Sequence, residues 1–144
     1  MKKTFVALSI GALLAVSTAG TAAAEGNSAP EFTAPASAAA GGTGYAPPGG
    51  GWGPVSRSNT AIFGSPGWTV VYAYTSQSGA SPIHASAKHF TNKTGTNPGP
   101  AKWSEFGFGT SGRSGQLVWG NAAANPEIKF KSLNVLGAIV DWQH

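Results

Sequence analysis

Apolar and polar positions divide the chain into three regimes. From Phe5 to Val16 apolar residues run almost unbroken, behind Lys2 and Lys3 and ahead of the small residues Ala22-Ala23-Ala24. From Glu25 to Gly51 large side chains nearly vanish, with Phe32 and Tyr45 the exceptions among Ala, Gly, Pro, Ser and Thr. From Trp52 onward, short runs of aromatic and β-branched residues alternate with clusters of Gly, Pro and Asn. In the run Glu127 to Leu133, Ile128 and Phe130 alternate with Lys129 and Lys131, the period of a strand with one dry face and one wet face. Further strand-like runs are Trp68 to Thr75, His84 to Asn92, Lys102 to Phe108, Gly115 to Gly120 and Leu136 to Trp142. Breakers such as Ser65-Pro66-Gly67 and Asn97-Pro98-Gly99-Pro100 separate them. No window sustains an apolar 3.6-residue period, so no helix is expected. Short strands at this spacing read as a sandwich or small barrel, and the expected fold is an all-β, small antiparallel β-sandwich.

The first regime has the charged start, apolar middle and small-residue end of a cleavable signal peptide spanning 1–24. Its apolar run is shorter than the ~20 residues needed to cross a bilayer, so the expected product is secreted and extracellular, not membrane-spanning. The second regime, 25–51, buries too little apolar surface to offset the entropy of ordering and is expected to be a flexible arm. The β domain would then occupy 52–144.

Composition changes this picture in two ways. The chain has no cysteine and five tryptophans. A small exported domain without disulfides depends on packing alone, and aromatic rings bury the most area per residue. The net charge is +4, and the domain carries it, because Lys2 and Lys3 are matched by Glu25 and Glu31. Such a charge favours approach to anionic envelopes. It is too dilute for a nucleic-acid reader, which would show a basic stripe.

Candidate chemistry is sparse. Glu105, Glu127 and Asp141 are the domain's carboxylates, and a glycosidase-like pair could be drawn from them, but Glu105 and Glu127 lie in alternating strands where a solvent-facing acid is the simpler reading. His84 or His89 with Asp141 could contribute to a Ser-His-Asp arrangement, yet no Gly-x-Ser-x-Gly elbow accompanies them. The two histidines are an odd number of positions apart and face opposite sides of a regular strand, and with no cysteine a zinc site is not expected. Gly107, Gly109 and Gly112 lack the Gly-Lys-Ser/Thr of a phosphate loop. No catalytic residue, metal or other cofactor is therefore expected, and the reading is a non-enzyme. A binding surface remains. Tyr72, Tyr74, Trp103, Trp119 and Trp142 lie on strands that also carry lysine or polar residues, a mixture suited to sugars, although core packing is the commoner fate of any one tryptophan.

The stretches Val71-Tyr-Ala-Tyr74, Ile83-His-Ala-Ser-Ala-Lys-His-Phe-Thr-Asn-Lys-Thr-Gly95 and Ala101-Lys-Trp-Ser-Glu-Phe-Gly-Phe-Gly109, with Gly49-Gly-Gly-Trp52 before them, resemble the lactococcin 972 bacteriocins. The likeness covers about residues 49–121. It implies a β-sandwich of two antiparallel sheets and activity against related Gram-positive bacteria, through binding of the cell-wall precursor lipid II and a block of septum formation. On residue type, Lys88, Lys93 and Lys102 would meet the pyrophosphate, and Tyr72, Tyr74 and Trp103 would line the sugar or lipid side. The partners considered are a cell-wall precursor or envelope glycan and a second copy of the chain. The alternative is a secreted, non-toxic carbohydrate- or protein-binding module of the envelope.

Overall fold

The computed structural model describes residues 40–77 and 82–144. The expected signal peptide, and the expected arm as far as residue 39, lie outside the described residues. Twelve strands are present among the described residues: β1 (Gly41–Ala46), β2 (Ser56–Arg57), β3 (Ile62–Phe63), β4 (Thr69–Val70), β5 (Ala73–Ser76), β6 (Ile83–Phe90), β7 (Ala101–Gly109), β8 (Ser111–Arg113), β9 (Leu117–Val118), β10 (Ala123–Ala124), β11 (Glu127–Ser132) and β12 (Ala138–Gln143).

The strands assemble as the alternating pattern demands. One four-stranded antiparallel sheet has the order β1-β12-β5-β8 and a second the order β2-β11-β6-β7, with the two-stranded ladders β10-β3 and β4-β9 beside them. The fold is all-β and sandwich-like. The core is filled from both sheets by Tyr74, Ala138, Val140 and Trp142 on one side and Ile83, Ala85, Ala87, Ile128 and Phe130 on the other, with Tyr72, Phe90 and Trp119 extending it. In β12 the pattern is strict: Ala138, Val140 and Trp142 are buried, and Ile139, Asp141 and Gln143 are exposed.

The sequence departs from expectation at its poorest stretch. Residues 40–51 were expected within the arm, but Gly41 to Ala46 pair with Gln143 to Ala138 as an edge strand. Glycine is what permits this. A Cβ on Gly44 would stand 2.6 Å from Phe130 Cε2, so the ring fills the room that a side chain would need. The β fold therefore includes residues ahead of Trp52, down to Gly41. The expected strand Trp68 to Thr75 also divides, into β4 and β5, with Val71 and Tyr72 between them. There the Tyr72 N–H donates to Ser114 Oγ at 2.9 Å, not to a ladder carbonyl.

One glycine shapes the second sheet. The β6–β7 register slips between His84 and Ala85, where Gly107 is the extra residue of β7. Gly107 has φ +65°, and a Cβ there would stand 2.7 Å from Tyr74 Oη. The bulge re-aims the end of β7, so that Phe106 packs on Tyr74 while Phe108 lies beside His84.

Candidate functional site

The outer face of the second sheet carries the most concentrated chemistry among the described residues. Residues opposite one another in an antiparallel ladder share a face, so register alone assembles three rows. Lys131, His84 and Phe108 form one, Lys129, Ser86 and Glu105 a second, and Lys88 with Trp103 a third. Arg57 and Glu127 pair at the β2 edge. Trp52 joins from the segment ahead of β2, which runs along β11 through Gly53 N–H to Phe130 O at 2.7 Å and Gly50 N–H to Ser132 O at 2.7 Å.

Two indoles and two ammonium groups interleave on this face. Lys129 Nζ lies 5.0 Å from the centre of the Trp52 ring and 4.7 Å from that of Trp103. Lys131 Nζ lies 4.3 Å from the Trp52 ring and 3.3 Å from Glu105 Oε2. The three ring distances are all cation–π distances. Ser86, in the middle row, is buried, and its small side chain leaves room for the long ones to lie across the sheet. Beside them Glu127, 7% exposed, holds Arg57 Nη2 at 2.6 Å and Lys88 Nζ at 3.1 Å. The balance differs between the two lysines of β11. Lys131 has a carboxylate partner, whereas Lys129 has none within 4.0 Å among the described residues and rests on ring faces alone.

The residues singled out from sequence separate into three groups. Trp103 is 38% exposed and belongs to this face, with Lys88 directly opposite it. Lys93 lies in the connection after β6 and Lys102 is displaced by one position from Trp103, opposite His89, so neither joins Lys88 in a phosphate cluster. Lys88 itself is engaged by Glu127. Tyr72 and Tyr74, expected on the surface, are core residues at 0% and 3% exposure. Their hydroxyls donate inward, Tyr72 to Lys88 O at 2.9 Å and Tyr74 to Ile83 O at 3.1 Å. Burial raises the pKa of both phenols. A tyrosine in an alternating strand looks alike from sequence whether it faces in or out; here Val70, Tyr72, Tyr74 and Ser76 are the buried positions of one continuous alternation across the β4–β5 break.

The arrangements considered for catalysis are taken apart by the fold. Asp141 lies on the outer face of the first sheet, accepting from Thr43 Oγ1 at 3.0 Å and from Gln77 Nε2 at 2.9 Å. His89 instead meets Ser104, with Nε2 to Oγ at 2.9 Å, while its Nδ1 lies 3.0 Å from Phe90 O. His84 packs on Phe108, with ring centres 4.8 Å apart. Glu105 and Glu127 are each tied to lysine.

Trp52, Lys129 and Lys131 were absent from the residues picked as ligand contacts. The alternation Ile128-Lys129-Phe130-Lys131 does place both lysines on one wet face. What no local pattern reveals is that Trp52, far away in sequence, is carried onto the same face by backbone hydrogen bonds to β11. No known family, curated protein or solved structure matches the chain.

Proposed function

We propose that this chain is a secreted antibacterial protein that acts by binding an anionic glycan or glycolipid of the cell envelope on the Trp52–Trp103 face, without catalysis. The cell-wall precursor lipid II, with its sugars and pyrophosphate, is the ligand implied by the resemblance to lactococcin 972 bacteriocins, and its capture would block septum formation. The single observation behind the reading is Lys129, a cation held between two indoles without a carboxylate partner among the described residues. Ring faces pack on the C–H surfaces of sugars, and an ammonium already positioned loses little entropy on meeting an anion. Lys131 and Lys88 supply further positive charge nearby, tempered by Glu105 and Glu127.

The test is titration of purified residues 25–144 against lipid II, with the same protein spotted on lawns of related Gram-positive strains. Saturable binding that weakens at least tenfold in Lys129→Gln or Trp103→Ala, with a zone of inhibition, is the expected result. Binding to isolated wall polysaccharide with no inhibition would replace it with a non-toxic binding module. Neither binding nor inhibition would end both readings.

A further inference from the structure

We infer that the β11–β12 hairpin tip is a membrane-surface anchor, which dips its apolar side chains into the interface of an anionic phospholipid bilayer. Between β11 and β12 the chain turns through Leu133, Asn134, Val135 and Leu136, and the three apolar residues are 56%, 90% and 70% exposed. They fall within four consecutive positions of a single turn, and only Leu133 touches the fold, with its Cδ2 over Gly50. Each would lose little by leaving water, and together they form a prong.

The turn also satisfies backbone groups from within the protein. A backbone that follows its side chains toward the hydrocarbon boundary must do so, because unpaired amides are costly in an apolar medium. Ser132 Oγ accepts from Asn134 N–H at 3.2 Å and donates to Leu136 O at 3.1 Å. The carbonyls of Ser132 and Asn134 accept from Gly50 N–H at 2.7 Å and Gly49 N–H at 3.0 Å. Gly49 and Gly50 reach these positions with φ of +79° and +81°, the left-handed region that glycine enters without penalty. The loop ahead of Trp52 thus braces the tip from outside the hairpin.

What stands behind the prong selects the partner. Lys131 is the penultimate residue of β11, two positions before Leu133, and Lys129 and Trp52 lie next to it. An apolar tip backed by lysines and a tryptophan is the mixture with which interfacial segments meet acyl chains, headgroups and phosphates. Three side chains are too little surface for a stable pairing with a second copy of the chain, which takes about 800 Å² per partner. They suffice for reversible binding when lysines add electrostatic attraction.

The experiment is co-sedimentation of residues 25–144 with vesicles of phosphatidylglycerol and phosphatidylcholine, against vesicles of phosphatidylcholine alone. The vesicles contain no glycan or pyrophosphate, so failure here is distinct from failure of lipid II capture. The wild type is expected to sediment with the anionic vesicles, and the double variant L133S/L136S to lose at least tenfold in affinity while keeping its urea midpoint. Lys131→Gln should weaken binding at low salt more than at high salt. Absence of sedimentation with anionic vesicles, or equal sedimentation of the double variant, would overturn the inference. So would a concentration-dependent dimer that the double variant abolishes, since that would give the tip to a second copy.

Discussion

Replacing Gly44 with alanine should lower stability by about 1–2 kcal/mol, the upper part of the overpacking range less the entropy that alanine removes from the unfolded chain. The added Cβ would stand 2.6 and 2.8 Å from two ring carbons of Phe130 and 3.3 Å from Ser56 Cβ. Comfortable carbon–carbon contact begins near about 3.5 Å, so the ring or the strand must retreat by about 1 Å. Phe130 has no room for this. It is fully buried, and Tyr74 meets it edge-on at 5.8 Å between ring centres. The strain therefore falls on the β1–β12 ladder. For a domain of this size each kcal/mol is worth about 4–8 °C of Tm, so calorimetry should show a drop of about 5–15 °C. Urea unfolding followed by tryptophan fluorescence should show a lower midpoint at unchanged slope. Gly51→Ala is the control. Its Cβ would meet nothing within 4 Å, and its effect should stay within about 0.5 kcal/mol. If Gly44→Ala proved as stable as Gly51→Ala, Phe130 would not be packed against β1, and residues 41–46 would have to be returned to the arm.

Further outcomes follow from individual side-chain contacts. Tyr72→Phe removes the hydroxyl that bonds Lys88 O at 2.9 Å and should cost about 1 kcal/mol in urea titrations; in the wild type, alkaline solution above the ordinary tyrosine pKa of about 10 should destabilise the fold, because burial raises both Tyr72 and Tyr74 and unfolding releases their protons. Glu127→Gln strips the counter-charge from Lys88 and Arg57 and should cost about 1–3 kcal/mol, most of it through the less exposed Lys88, with stability then responding less to added salt. His144 bonds Ser58 Oγ at 2.9 Å and packs on Tyr72 and Trp142, and burial lowers its pKa. The unfolded chain thus binds more protons than the native one below about pH 6.5, so the wild-type Tm should fall as the pH drops through that value, and His144→Asn should flatten the fall.

Six runs, which hold seven of the strands, were legible because each contains its own signal, either alternation or a block of β-branched and aromatic residues between breakers. The strands that were missed carry almost none. β2, β3, β8 and β10 are two or three residues long, below the length at which a period can be counted. β1 is written largely in glycine, and its pairing is determined by the rings it must clear, which belong to Phe130 and Trp142. The binding face was half legible for the same reason. Lys129 and Lys131 announce themselves as the wet side of β11, and Trp103 as an aromatic among polar neighbours. Trp52 does not, since its place depends on Gly50 and Gly53 hydrogen-bonding to a strand some eighty residues later. Tyr72 and Tyr74 were not legible as core because aromatic character points to core and ligand alike, and only the packing of the second sheet decides which parity of Val70 to Ser76 is covered.

The β1–β12 ladder brings the two limits of the described fold to one place. Gly41 lies opposite Gln143, and His144 N–H donates to Ala40 O at 2.8 Å. The hairpin tip lies at the other end of β12, six residues away, or about 20 Å at about 3.3 Å per residue. The two limits of the described fold thus share one pole, and the hairpin tip lies at the other. In a chain begun at residue 40, a label or fusion partner joined at either end would sit on the same pole, clear of Leu133, Val135 and Leu136, and a short bridge between residues 40 and 144 would close those residues into a ring without altering a single ladder.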